Sequence, residues 1–387
     1  MRSLVAAGCG LCLALLLAAS PARAALTATE LALDEAVLNQ FGAVTFSGYT
    51  IQTGETEGRV AVGGNFSDNG GNICFNGCSG NTNSAALGAT YGALNVWGNV
   101  SGNATTTTNG AGFYIQGNNA GTLSNAAMNI AGSNDGTITN PSVINIGAAS
   151  AGNTSNLNGA QVHVSQPRTT TFPFPAAMPF QSALTDLATG LATDAAATNA
   201  RTLGAYVQNA PTSITATAAN GAYGGKKYGF LTVTATNLAS YENFSGIDTN
   251  GLDAVFVIVT GQYGGTLPGL NPGGNNETDV IWDFVDATTV TFAGSWYGQI
   301  LAPNATVADP SGDLTGAVIA NDIVQSNEIH QYTGSYVLPI GALSGLPVDS
   351  PSIGESQPVV EPSALAVLLV GIFGLGFARR RRRRTAH

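Results

Sequence analysis

Basic residues are almost missing from the body of this chain. Between residues 25 and 361 only Arg59, Arg168, Arg201, Lys226 and Lys227 are basic, against 23 acidic residues, a formal charge of −18. Such a surface repels phosphate backbones, which excludes nucleic acid as a natural partner and favours cations or neutral, hydroxyl-rich ligands. Histidine is nearly as scarce. His163 and His330 are the only two in the body, too few for a zinc centre unless carboxylates complete it, so no metal site is expected. Charged residues make up only 9% of the chain, which argues against salt-bridged helical packing. The abundant Gly, Asn and Thr suit short strands and tight turns.

Cysteine is scarce too. Cys9 and Cys12 lie in the first apolar segment, which leaves Cys74 and Cys78. Their spacing around Gly77 in an exported chain predicts a local disulfide staple and not a redox pair.

Long apolar runs are absent except at the two ends. Arg2 precedes the stretch Leu4 to Ala19, and Ala22-Arg23-Ala24 places small residues where a signal peptidase reads, so residues 1–24 are expected to be a signal peptide cleaved after Ala24. At the other end, Ala364 to Ala378 is a 15-residue run of apolar residues and glycines followed by Arg379, Arg380, Arg381, Arg382, Arg383 and Arg384. A free-standing span needs about 20 residues, but glycines allow a compact transmembrane helix and the arginines hold the end at the cytoplasmic face. A transient inner-membrane anchor follows. The expected division is a domain over 25–340, a Pro/Ser-rich linker over 341–359 and a terminal segment over 360–384.

Within the body two stretches read as helices. Thr27 to Phe41 opens with Thr and Glu capping candidates and spaces Leu31, Leu38 and Phe41 helically; Pro179 to Asn199 carries Leu184, Leu187 and Leu191 on one stripe. The rest reads as short β-segments. "VAVGGN" (60–65), "LNVWGN" (94–99) and "FYIQGN" (113–118) look alike, and "YGQILAPN" (297–304) resembles "TGAVIAND" (315–322). Offsets of 18 to 20 residues suit one coil of a right-handed parallel β-helix, with the long helix along its side and the amino-terminal helix over an open end. An antiparallel β-sandwich is the alternative.

Candidate chemistry is sparse. Asp279, Asp283 and Asp286 would be the carboxylates of a β-helical polysaccharide-degrading enzyme, but "TDVIWDFV" (278–285) also reads as plain strand alternation, and no His or Lys cluster accompanies them. Glu328 and His330, two apart on a strand, point the same way and could bind a metal or hydrogen-bond a ligand, with a structural hydrogen bond at a corner as the plainer reading. Trp97, Tyr114, Trp296 and Tyr297 would stack on sugar rings if exposed. Calcium at the Asp/Asn-rich turns "SDNGGN" (67–72) and "SNDG" (133–136) lacks EF-hand spacing.

"LNQFGAVTFSGYTIQTGETEGRVAVGGNF" (38–66), with Glu57, Gly58, Arg59, Val60, Ala61, Val62, Gly63, Gly64 and Asn65, resembles the opening of the bacterial choice-of-anchor A domain. The closing segments "VIWDF" (280–284), "GSWYGQILAPNATV" (294–307), "GAVIAND" (316–322) and "NEIHQYTGSY" (327–336) resemble it as well, while Gly42 stands where that family has Asn. The terminal segment resembles a PEP-CTERM sorting signal: Glu361 and Pro362 match, and Val360 replaces the first proline. These resemblances imply a non-enzymatic, adhesin-like protein of the cell surface or extracellular matrix of a biofilm-forming bacterium. They imply processing by an exosortase, and an extracellular polysaccharide or surface protein as partner. A polysaccharide-degrading enzyme and an ice-binding-like protein are the alternatives.

Overall fold

The structure, a computed structural model, describes residues 26–75, 84–106, 111–149, 152–198, 200–205, 213–216, 227–241, 244–270, 279–331 and 338. The expected signal peptide, the linker from 341 onward, the terminal segment and Cys78 lie outside these residues. Cys74 is buried and disulfide-bonded. Among the described residues no helix is long and apolar enough to cross a membrane.

Both expected helices form. Ala28–Gln40 is opened by a capping box in which the Glu30 N–H donates to the Thr27 hydroxyl oxygen and the Thr27 N–H donates to the Glu30 carboxylate at 2.7 Å. The longer helix is Gln181–Ala197, and Leu184, Leu187 and Leu191 are fully buried.

The remainder is mainly strand, and every strand pairing among the described residues is parallel. An antiparallel sandwich does not pair this way. A large parallel sheet with few helices is consistent with a β-helix or solenoid. One column of strands runs Arg201–Leu203, Tyr228–Thr234, Ala254–Thr260, Val280–Asp283, Gln299–Asp309, Val318–Gln325, Phe41–Ile51, Arg59–Val62, Leu94–Val96, Gly112–Ile115, Ala127–Ile130, Val143–Ile146 and Gln161–His163. The chain therefore enters its own stack in the middle. It steps to one end, crosses back through the long helix, and steps from the other end to meet its first strand.

That order corrects the placement of the amino-terminal helix. It leads into Phe41–Ile51, which has a strand on each side, so it cannot cover an end of the sheet. It packs instead against the long helix and the turn at Ala85–Leu87. Together these elements bury Leu31, Leu38, Phe41, Leu184 and Leu191 in one outer apolar layer.

The look-alike segments stand in register: Val60 beside Leu94 beside Phe113, and Ile300 beside Val318. Their shared Gly-Asn ending makes a corner. The Gly98 N–H donates to the Gly64 carbonyl at 2.9 Å and the Gly117 N–H to the Gly98 carbonyl at 3.0 Å. Beside them, Asn65 Oδ1 accepts from the Asn99 N–H at 2.9 Å and Asn99 Oδ1 from the Asn118 N–H at 2.8 Å. A Cβ on Gly117 would lie 2.5 Å from the Gly98 carbonyl oxygen, so the corner requires glycine. Gly42 has a similar reason. A Cβ there would lie 1.9 Å from the Glu57 carbonyl oxygen, which excludes an asparagine in this chain.

Two apolar layers flank the column. Along Ala254–Thr260, Val255, Val257 and Val259 face the inner core while Ala254, Phe256 and Ile258 face the layer under the long helix. Burial on both sides explains why "AVFVIV" is apolar without alternation.

Candidate functional site

Stacked strands place equivalent residues above one another. In a second column, the strands Val100–Thr106, Thr122–Ser124, Thr137–Thr139 and Asn153–Ser155 pair in register. Ala104, Leu123 and Ile138 point into the core, so their neighbours must point out. The result is two outward rows: Asn103, Thr122, Thr137, Asn153, and Thr105, Ser124, Thr139, Ser155. All eight are part-exposed or exposed. Adjacent strands lie about 4.8 Å apart and alternate residues about 6.7 Å apart along a strand, which makes a regular lattice of hydroxyls and amides. The hydroxyls of Thr139 and Ser155 are 3.2 Å apart.

The second row continues into a polar groove. Asn125 and Asn140 follow Ser124 and Thr139 directly and, with Asn158, adopt left-handed backbone angles at successive corners. Asn125, Asn140, Pro141, Ser142, Asn158 and Gly159 help to line a cavity of about 550 Å³ there. Neutral donors and acceptors on a regular face beside a groove suit a neutral, hydroxyl-rich polymer.

The aromatic candidates are placed differently. Trp97 is only 7% exposed and Trp296 only 1%, which removes both from sugar stacking. Trp97 lies edge-on to Phe172 at 5.3 Å and its indole N–H donates to the Pro175 carbonyl at 2.9 Å. Trp296 packs on Trp282 and Phe292 in the inner core. Tyr114 is half-buried against Phe174, and burial raises its phenol pKa. Tyr297 is half-buried against the inner core. Outward indoles would leave the stack unfilled, so large aromatics are drawn inward.

The three aspartates are not brought into one accessible site. Asp283 is fully buried in the strand between Ile258 and Leu301, neither carboxylate oxygen has a partner among the described residues, and burial, with Asp286 adding to it, pushes its pKa well above the carboxylate range. Asp286 lies outside, accepting from the Gly261 N–H at 3.2 Å.

The turns considered for calcium use their carboxylates internally. Asp68 Oδ1 accepts from Gly70 and Gly71 N–H at 2.8 and 2.6 Å, and burial raises its pKa to about 6 against those bonds. Asp135 accepts from the Ser133 hydroxyl at 2.8 Å.

Glu328 and His330 do come together, and in more company than the sequence reveals. His330 Nε2 is 3.4 Å from Glu328 Oε2 and 3.7 Å from Asp313 Oδ2, while Nδ1 is 3.5 Å from Glu57 Oε1. Asp313 comes from the preceding step of the stack and Glu57 from the following one, since Leu314 pairs with Ile329 and Thr56 with Ile329. Neither is near His330 in sequence; Asp313 is brought close because Thr315, two residues after it, is the strand partner of His330.

No curated protein and no solved structure matches the chain. Residues 34–331 match the pattern of an ice-binding-like adhesive domain, most of the chain and nearly all of the strand stack. An adhesive domain suggests a surface or extracellular, non-enzymatic protein. The chain belongs to the ice-binding-like adhesive domain family.

Proposed function

We propose that this protein is a non-enzymatic surface or matrix adhesin that binds a neutral extracellular polysaccharide along its Ser/Thr/Asn rows. The single observation that carries the reading is the register of Asn103, Thr122, Thr137 and Asn153 with the parallel row from Thr105 to Ser155. We read the parallel stack as a β-helix, because its rigid step sets the rows at a fixed repeat that a regular polymer can match. The acidic body repels polyanions and so favours an uncharged polymer. Delivery follows from the ends: export by the signal peptide, a pause at the inner membrane on residues 364–378, then exosortase processing near Glu361 and Pro362 and release into a biofilm matrix. Deleting Arg379 to Arg384 should mislocalise unprocessed protein.

The test is binding of the purified protein to the producing organism's own exopolysaccharide and to a glycan panel, with product analysis of the same samples. Saturable binding without cleavage supports the adhesin. Cleavage products, or thermal hysteresis without any glycan binding, would replace it with the enzyme or the ice-binding reading.

A further inference from the structure

We propose that Asp313, Glu328 and His330 form a binding site for a divalent transition metal, with zinc the best fit, and that Glu57 orients the histidine from behind. The ligand atoms of the first three all lie within 4.8 Å of one another. With metal–ligand bonds of about 2.0–2.1 Å, the edges of a tetrahedral site are about 3.3–3.4 Å long. The separations of His330 Nε2 from Glu328 and Asp313, 3.4 and 3.7 Å, are close to such edges.

Two of the carboxylates are already aimed. Asp313 Oδ1 accepts from the Glu328 N–H at 3.3 Å, which leaves Oδ2 towards Nε2. Glu57 Oε2 accepts from the Gln331 N–H at 3.2 Å, which leaves Oε1 towards Nδ1. A carboxylate on one ring nitrogen and a metal on the other is the arrangement that fixes a ligating imidazole. Glu57 therefore holds the ring with Nε2 turned to the two ligand carboxylates.

Charge points the same way. Among the described residues no lysine or arginine pairs with Glu57, Asp313 or Glu328, so three carboxylates surround one imidazole. A bound dication offsets that excess. An imidazole with oxygen donors selects zinc or a neighbouring transition metal over calcium, which takes oxygen ligands. The side chains are 33% exposed at His330, 46% at Asp313 and 45% at Glu328, open enough for an ion to enter and for water to take the fourth position. The site also spans the seam of the stack, since Glu57 belongs to the amino-terminal coils and the other three to the carboxy-terminal ones. Metal binding is therefore linked to closure of that seam.

The experiment is calorimetric titration of the untagged, chelator-treated full chain with zinc chloride, repeated with calcium chloride, alongside His330→Gln, Asp313→Asn/Glu328→Gln and Glu57→Gln. One equivalent of zinc should bind the unmodified chain, raise its unfolding midpoint, and be lost in the first two variants. Glu57→Gln should weaken binding about 10–100-fold. Circular dichroism of the metal-free variants, unchanged from the unmodified chain, separates a lost site from a lost fold. Zinc affinity unaltered in His330→Gln, no binding by the unmodified chain, or calcium bound as tightly as zinc would each overturn the assignment.

Discussion

The Tyr49 hydroxyl donates to Gln325 Oε1 across 276 positions of sequence. Both side chains are buried, and the Thr56 hydroxyl donates to the same oxygen at 2.9 Å. Gln325 Nε2 completes the network by donating to the Glu55 and Asn327 carbonyls at 2.8 and 2.6 Å. These residues lie where Gly48–Ile51 pairs with Asp322–Gln325, the second of two registered stretches, after Ala43–Thr45 with Val318–Ala320, that join the first strand to the last long one. Inside an apolar stack, such a network is stabilising only when fully satisfied, so it specifies this pairing over a slipped one.

Gln325→Ala removes the shared acceptor and leaves two buried hydroxyls without it, whereas Tyr49→Phe leaves Thr56 still bonded. Gln325→Ala should cost about 2–4 kcal/mol and Tyr49→Phe about 1–2 kcal/mol, measured by urea unfolding. Equal and negligible effects would show that the seam does not depend on this network.

Asp34 gives a pH dependence. It is buried between the amino-terminal and long helices, with neither oxygen partnered among the described residues; burial, then Glu30 and Asp186, raises its pKa to about 8. A carboxyl raised in the folded state binds its proton more tightly there. Its stabilising contribution is full below the unfolded pKa near 4 and is lost as pH rises towards 8. Asp34→Asn should therefore be more stable than the unmodified protein at pH 7, by up to about 4 kcal/mol. The two should converge near pH 4, as thermal unfolding across that range would record.

The Gly-Asn corner predicts a sharp contrast between glycines. Gly117→Ala drives a methyl group into the Gly98 carbonyl, while a Cβ on Gly204 meets nothing within 4 Å. The first should cost roughly 2–4 kcal/mol and the second less than about 0.5 kcal/mol. Denaturant midpoints of the two variants test the corner directly.

Trp97 separates packing from recognition. Trp97→Ala empties an aromatic layer of Phe172, Phe174 and Tyr91 and should cost about 3–5 kcal/mol. Glycan affinity, measured at a temperature where the variant remains folded, should be unchanged. A loss of affinity with intact stability would return this indole to the binding face.

Much of the scaffold was legible in local sequence. The capping box at Thr27 and Glu30 and the leucine stripe of the long helix depend on neighbours within four residues. The Gly-Asn repeats encode their own stacking, because each corner bonds to the next copy of itself. The entry of the first strand into the middle of the stack was not legible, since its partner Val318–Gln325 lies at the far end of the chain and nothing local encodes that match. The outward rows escaped notice for a related reason. Thr122, Thr137 and Asn153 sit in segments of differing composition, and only their register aligns them. The aromatic layer around Trp97 was not legible either, because its partners Phe172 and Phe174 lie far along the chain.

The most direct measurement is the affinity of the double variant Thr122→Tyr/Thr137→Tyr for the organism's own exopolysaccharide. Both side chains point outward in strands whose pairing needs only the backbone, so the unfolding midpoint should stay unchanged while two rings interrupt the rows. The proposed function predicts at least a tenfold loss of affinity with the fold intact. Undiminished binding by the intact double variant would contradict the claim that these rows are the adhesive surface.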